Sequence, residues 1–178
     1  MNLSRRQFLT RSAVLGAGLY LPGSAFASLA AEPERSLSLY NTHTGESLKR
    51  VFWAQGAFIP DSLTEINKLL RDHRTNDVAT IDPQLLMLLG NITALVGPGT
   101  LHVISGYRSP QTNQALAAQS GGVAKHSLHM DGKAIDIRLP GRDLADLRNS
   151  AMSLKRGGVG YYPKSQFVHV DTGRVRSW

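Results

Sequence analysis

The chain has 178 residues, 42% of them hydrophobic and 19% charged, which suits one globular domain with a sizeable core and not a disordered chain. It has no cysteine, so it can form neither a disulfide framework nor a thiolate metal site, and any metal must be held by His, Asp or Glu. The formal charge is +7, but Arg5, Arg6 and Arg11 lie at the start of the chain, and the remaining 17 basic and 13 acidic residues leave only +4. That modest excess suits an anionic polymer. Nucleic acid is disfavoured, because no basic stripe is interleaved with aromatics.

The first thirty residues, "MNLSRRQFLTRSAVLGAGLYLPGSAFASLA", have a basic start, a weakly apolar middle and "AFA" at Ala25 to Ala27 as a small-x-small cleavage site. Ser4, the pair Arg5-Arg6, Phe8 and Leu9 resemble the twin-arginine export motif. The sequence therefore predicts a twin-arginine signal peptide over 1–27, a mature domain over 28–178, export to the periplasm, and the twin-arginine machinery as a transient partner. No stable membrane anchor is expected. Gly16, Gly18, Pro22 and Gly23 break up a segment already too short to span, and there is no Cys for a lipoprotein anchor. An enzyme exported in this way needs a substrate outside the cytoplasm and works without ATP.

In "LSLYNTHTGESLKRVFW" the apolar residues alternate around Thr44-Gly45, which predicts a hairpin. "DSLTEINKLLRDHR" places Leu63, Ile66, Leu69 and Leu70 at helical spacing behind an Asp or Ser cap. "DPQLLMLLGNITALVG" is a second helix, capped by Asp82 with Pro83 in its first turn, and apolar enough all round to be the buried one. "TLHVISGY" reads as a strand, and "SPQTNQALAAQ" as a short helix capped by Ser109. "GGVAKHSLHMDGK" is a loop, "AIDIRL" a strand and "RDLADLRNSAMSLK" a third long helix. "GVGYY" and "FVHVDTG" are closing strands around a turn at Tyr162 to Ser165. This order predicts an α+β fold with a central antiparallel sheet packed against helices.

His129 and Asp136 are the first candidates for a metal site. Zinc hydrolases hold their ion with three protein groups and leave one position for water. His129 sits on a loop, Asp136 follows seven residues later on a strand, and Gly132 permits a tight path between them. Strand alternation puts Asp136 on the face opposite Ile135 and Ile137. In "FVHVDTG" His169 and Asp171 share a face, so His169 completes a set of three if the two strands are neighbours. Asp171 would then be aimed at the same cavity. A lone "DTG" does not make an aspartic protease, which needs two such loops, and no Ser-x-x-Lys or Gly-x-Ser-x-Gly motif is present. His102, His43 and His73 read as structural or exposed.

The stretch "SLHMDGKAID" matches S-x-H-x-x-G-x-A-x-D, and "FVHVD" matches the second motif of the same group. From about Tyr40 to Trp178 the chain resembles the D-Ala-D-Ala carboxypeptidase and dipeptidase type of zinc peptidases, whose fold is shared with the hedgehog signalling domain. "SGYRSP", "GGVAKHSLH", "GGVGYYP" and "FVHVDTGRVR", in that order, look closest to the murein endopeptidase branch of this family. The resemblance implies Zn2+ as cofactor, with His129, Asp136 and His169 as its ligands. It also implies that Arg108 binds substrate or stabilises the oxyanion.

Family members often place a Glu, Asp or His shortly before the last zinc-binding His. Here Gln166, Phe167 and Val168 stand there, and none can take a proton. The base is then expected to be Asp171, with His126 as second choice, although Asp171 could instead only orient a metal-binding histidine. The implied activity is zinc-dependent hydrolysis of the peptide cross-links between peptidoglycan stems. The bond is diaminopimelate-diaminopimelate, D-Ala-diaminopimelate or both, cut during wall growth. The absence of a base before His169 leaves a second reading, an inactive peptidoglycan-binding module with a structural zinc. A periplasmic metal-delivery protein is a third.

Overall fold

The computed structural model describes residues 33–119 and 124–178. The expected signal peptide and its cleavage point near Ala27 lie outside these residues. Among the described residues, no helix is long and apolar enough to cross a membrane.

Apolar alternation forms β1 (Arg35–Asn41) and β2 (Ser47–Ala54), an antiparallel hairpin whose turn falls where Thr44-Gly45 predicts it. The two-residue β3 (Ala57–Phe58) follows, and then α1 (Pro60–Leu69). This helix starts one residue before the expected Asp61 cap. Ile59 is its N-cap, with no side-chain hydrogen bond, and Pro60 supplies a preset φ. It also ends well before Arg74. Asp72 Oδ1 accepts the backbone N–H of Arg74 at 2.9 Å, a local bond that competes with helix continuation.

The second helix, α2 (Pro83–Val96), is capped as expected: Asp82 Oδ1 accepts Gln84 N–H at 2.9 Å. It buries Leu85, Leu86, Leu88, Leu89 and Ile92. Then come β4 (Leu101–Ser105), α3 (Pro110–Gln119), β5 (Ala134–Arg138), α4 (Leu144–Ser153), β6 (Gly158–Tyr162), β7 (Phe167–Asp171) and β8 (Arg176–Ser177).

One sheet of eight strands runs in the order β3-β2-β1-β4-β5-β7-β6-β8. Its centre, β4-β5-β7-β6, is antiparallel as expected. The β1–β4 and β6–β8 pairs are parallel, so the whole sheet is mixed. Ile135, Ile137, Val168 and Val170 join α2 and α4 in a single apolar core on one face. The period of two then forces the intervening residues of β5 and β7 onto the opposite face.

Candidate metal centre

Antiparallel pairing sets Asp136 of β5 directly opposite His169 of β7. The third residue comes from the loop 127–133. Gly132 there takes φ +66°, and a Cβ at that position would run into the Thr80 carbonyl. The turn that results brings His129 beside the two strands. His169 Nδ1 lies 2.9 Å from Asp136 Oδ1 and 3.2 Å from His129 Nε2, and His129 Nε2 lies 3.4 Å from Asp136 Oδ1. Four ligand atoms placed tetrahedrally at about 2.0–2.1 Å from a zinc ion would be spaced at about 3.3 Å, so these three fit. They are the one group of three or more such side chains converging in this way among the described residues.

Hydrogen bonds fix the tautomer of each imidazole. His129 Nδ1–H donates to the Gly106 carbonyl at 2.7 Å, which leaves the Nε2 lone pair facing the centre. His169 Nε2–H donates to Asp171 Oδ2 at 3.1 Å, which leaves Nδ1 facing it. Two nitrogen lone pairs and a carboxylate oxygen thus converge with no donor among them. Such a donor set calls for a cation. A proton on the inner imidazole nitrogens can stand in for that cation: burial alone would raise the Asp136 pKa, but the charge of a protonated His129, with hydrogen bonds from both histidines in that form, holds it well below the usual carboxylate range. Burial alone would lower that of His169, but in its protonated form the ring bonds Asp136 as well as Asp171, and these bonds outweigh burial and raise it.

Asp171 differs from expectation. It lies on the His169 side of β7, yet it is fully buried and does not line the pocket over the three ligands. Its Oδ1 accepts Gly158 N–H at 3.0 Å, Gly173 N–H at 2.8 Å and Arg176 Nη1–H at 3.0 Å. Its Oδ2 accepts Arg176 Nη2–H at 2.7 Å as well as the His169 ring. Against the cost of burial, the bonds from His169 and Arg176 and the two amides hold its carboxyl far below the usual range. A carboxylate so engaged sits behind the imidazole and away from the pocket lining.

The pocket itself is a cleft of about 370 Å³. Arg108 and the exposed His126 stand on its rim, and Tyr162, Phe167 and Trp178 form an aromatic wall. The Tyr162 and Phe167 rings stack at 4.6 Å, Trp178 Nε1–H donates to Tyr162 Oη at 2.7 Å, and the Trp178 ring lies 5.3 Å from that of His169. Arg108 is half-buried, which lowers its pKa. Its Nη1–H reaches Asn113 Oδ1 at 3.4 Å, and its Nε has no partner among the described residues.

His102, His43 and His73 stand outside the cleft, and the His43 and His73 rings stack on each other at 3.8 Å. Sequence reasoning missed Arg176 and Trp178. The only signal was their place just after "FVHVDTG".

The Peptidase_M15_2 family, described as peptidoglycan L,D-endopeptidase MepK, matches residues 29–178. The chain belongs to this family. It is 43% identical over 176 residues to the Escherichia coli K12 and Shigella flexneri proteins named peptidoglycan L,D-endopeptidase MepK, covering 98% of this chain and 97% of each relative. A Haemophilus influenzae relative is 42% identical over 177 residues, 98% of this chain and 95% of that one. No solved structure matches the chain. As a member of Peptidase_M15_2, with relatives named peptidoglycan endopeptidases, the chain is a peptidase acting on peptidoglycan.

Proposed function

We propose that this chain is an exported, zinc-dependent endopeptidase that hydrolyses peptide cross-links between peptidoglycan stems. The convergence of His129, Asp136 and His169, with both imidazole tautomers fixed by their outer hydrogen bonds, is the observation that carries the proposal. The names of the relatives favour the L,D bond between two diaminopimelate residues. Export through the twin-arginine route and removal of residues 1–27 complete the reading.

Bound by His129 Nε2, Asp136 and His169 Nδ1, zinc would polarise the scissile carbonyl and lower the pKa of a water toward 7. The chain's own side chains do the rest. Arg108, whose guanidinium lines the cleft, holds the carbonyl oxygen or a neighbouring stem carboxylate and favours negative charge there. Asp171 keeps the His169 proton on Nε2 and leaves base chemistry to another group. His126, exposed on the rim, is that group: its imidazole takes a proton from water and returns it to the leaving amine. Trp178 and Tyr162 supply an apolar wall for the aliphatic part of the stem.

The test is digestion of purified cross-linked peptidoglycan, with soluble products read by mass spectrometry. Conversion of dimers to monomers supports the reading, and the dimer that disappears names the bond. Dimers left intact by the zinc-loaded protein favour the binding module, for which turnover is absent and metal is structural.

A further inference from the structure

Loop Gly106–Ser109 joins β4 to α3 and delivers Arg108 to the cleft. Its backbone is held at every residue. Gly106 O accepts the His129 ring at 2.7 Å, Tyr107 N–H donates to Leu70 O at 2.7 Å, and Arg108 N–H donates to His129 O at 3.1 Å. The fourth hold is of another kind: Ser109 N–H donates to Asp72 Oδ2 at 2.8 Å. The Tyr107 and Arg108 bonds run between backbone groups, whereas this one needs a particular side chain from a remote loop.

Asp72 is only 1% exposed and does not line the cleft. The Thr112 hydroxyl, one turn into α3, also bonds it. Thr112 N–H in turn donates to Ser109 Oγ at 3.2 Å, the expected cap. The carboxylate therefore lies against the first turn of a ten-residue helix, where the aligned peptide dipoles favour an anion. Among the described residues, the one side-chain hydrogen bond of Arg108 is the 3.4 Å contact with Asn113, itself on α3, and the charges of Asp136 and Asp72 act on it without a hydrogen bond. A guanidinium held so loosely takes its position from the loop and helix beneath it.

We infer that Asp72 is a positioning residue, whose carboxylate pins the Ser109 amide and the start of α3 and so fixes where Arg108 points. The inference rests on the endopeptidase reading only for what Arg108 does to substrate.

A kinetic double-mutant cycle tests it: wild type, Asp72→Asn, Arg108→Ala and the double variant, on a purified cross-linked dimer, with zinc content measured for each. Asp72→Asn is expected to lower kcat about 10- to 100-fold, since small misplacements in an active site cost that much, with one zinc per chain retained. In the Arg108→Ala background the same change is expected to cost less than about threefold, because coupled residues are not additive. Should Asp72→Asn not fold, Thr112→Val serves instead, with a smaller loss and the same non-additivity. Equal losses in both backgrounds, or an unchanged kcat, would overturn the inference. The Arg108 Nε–H resonance gives a readout free of turnover. It is expected to shift in Asp72→Asn, with the His129 and His169 ring signals in place, even if wild type cuts no dimer. An unmoved resonance would contradict the inference.

Discussion

Asp171→Asn keeps the shape of a buried side chain and removes its charge. Three donors converge on Oδ1, from Gly158, Gly173 and Arg176, so the single carbonyl of Asn must take that place. The new NH2 then faces Arg176 Nη2 and His169 Nε2, where Oδ2 had accepted at 2.7 and 3.1 Å. Facing a donor, the His169 ring must give up its Nε2 proton and carry it on Nδ1, the atom turned to the metal. Loss of such an orienting partner costs about 10- to 100-fold in metal affinity. Stability falls as well. Bonds to charged groups are worth about 1.5–3 kcal/mol each, and part of the loss is recovered because Arg176 is partly exposed and can hydrate, which leaves a net cost of about 3 kcal/mol. Competition against a chromophoric chelator reads the first quantity, and urea unfolding of the metal-free protein reads the second. Zinc affinity within about twofold of wild type would refute the tautomer argument. A collapse of kcat with affinity intact would return the general-base role to Asp171.

Three further outcomes follow from the same geometry. Burial alone would raise the Asp72 pKa, but hydrogen bonds from Thr112, Ser109 and Arg74 outweigh it and hold the carboxyl at about 2 against an ordinary 3.8. A depressed folded value stabilises above the unfolded one, so about 2 kcal/mol is present above pH 4 and is lost as pH falls from 4 toward 2. Acid unfolding should therefore be flatter across that window in Asp72→Asn, and an unchanged profile would contradict the assignment. Gly132→Ala forces a side chain into φ +66° against the Thr80 carbonyl and should cost about 2 kcal/mol or more; a thermal midpoint equal to wild type would be inconsistent with this. Trp178→Ala removes the most exposed part of the aromatic wall, 51% accessible, and should raise KM about three- to tenfold with zinc content unchanged. An unmoved KM would mean that the wall does not touch substrate.

The ligand set was legible because two periodicities cooperate. In "AIDIR" and "FVHVD" the apolar residues claim one face, and the ligands are left on the other. Only the adjacency of the strands had to be supplied by the fold, and the β5–β7 register supplies it. Face assignment could not say whether Asp171 is open to the cleft. Asp171 is held by the amides of Gly158 and Gly173 and by Arg176, groups that the sequence pattern does not link and that meet through the pairing of β6 with β8. Asp72 was not legible at all: it stands at the end of an apparent helical pattern and acts on a helix almost forty residues later. The two-residue strands β3 and β8 are too short to display any alternation. The expected start of α1 failed for a local reason, since Pro60 begins the helix without needing the Asp61 or Ser62 hydroxyl or carboxylate as a cap.

The most direct measurement is a zinc titration of the metal-free protein with a defined cross-linked dimer as substrate, following monomer release against metal added. Activity is expected to be absent at zero zinc, to rise linearly, and to stop at one zinc per chain, with His169→Ala inactive throughout. Cleavage without metal, or full zinc occupancy with every dimer intact, would contradict the claim that His129, Asp136 and His169 form a catalytic zinc centre.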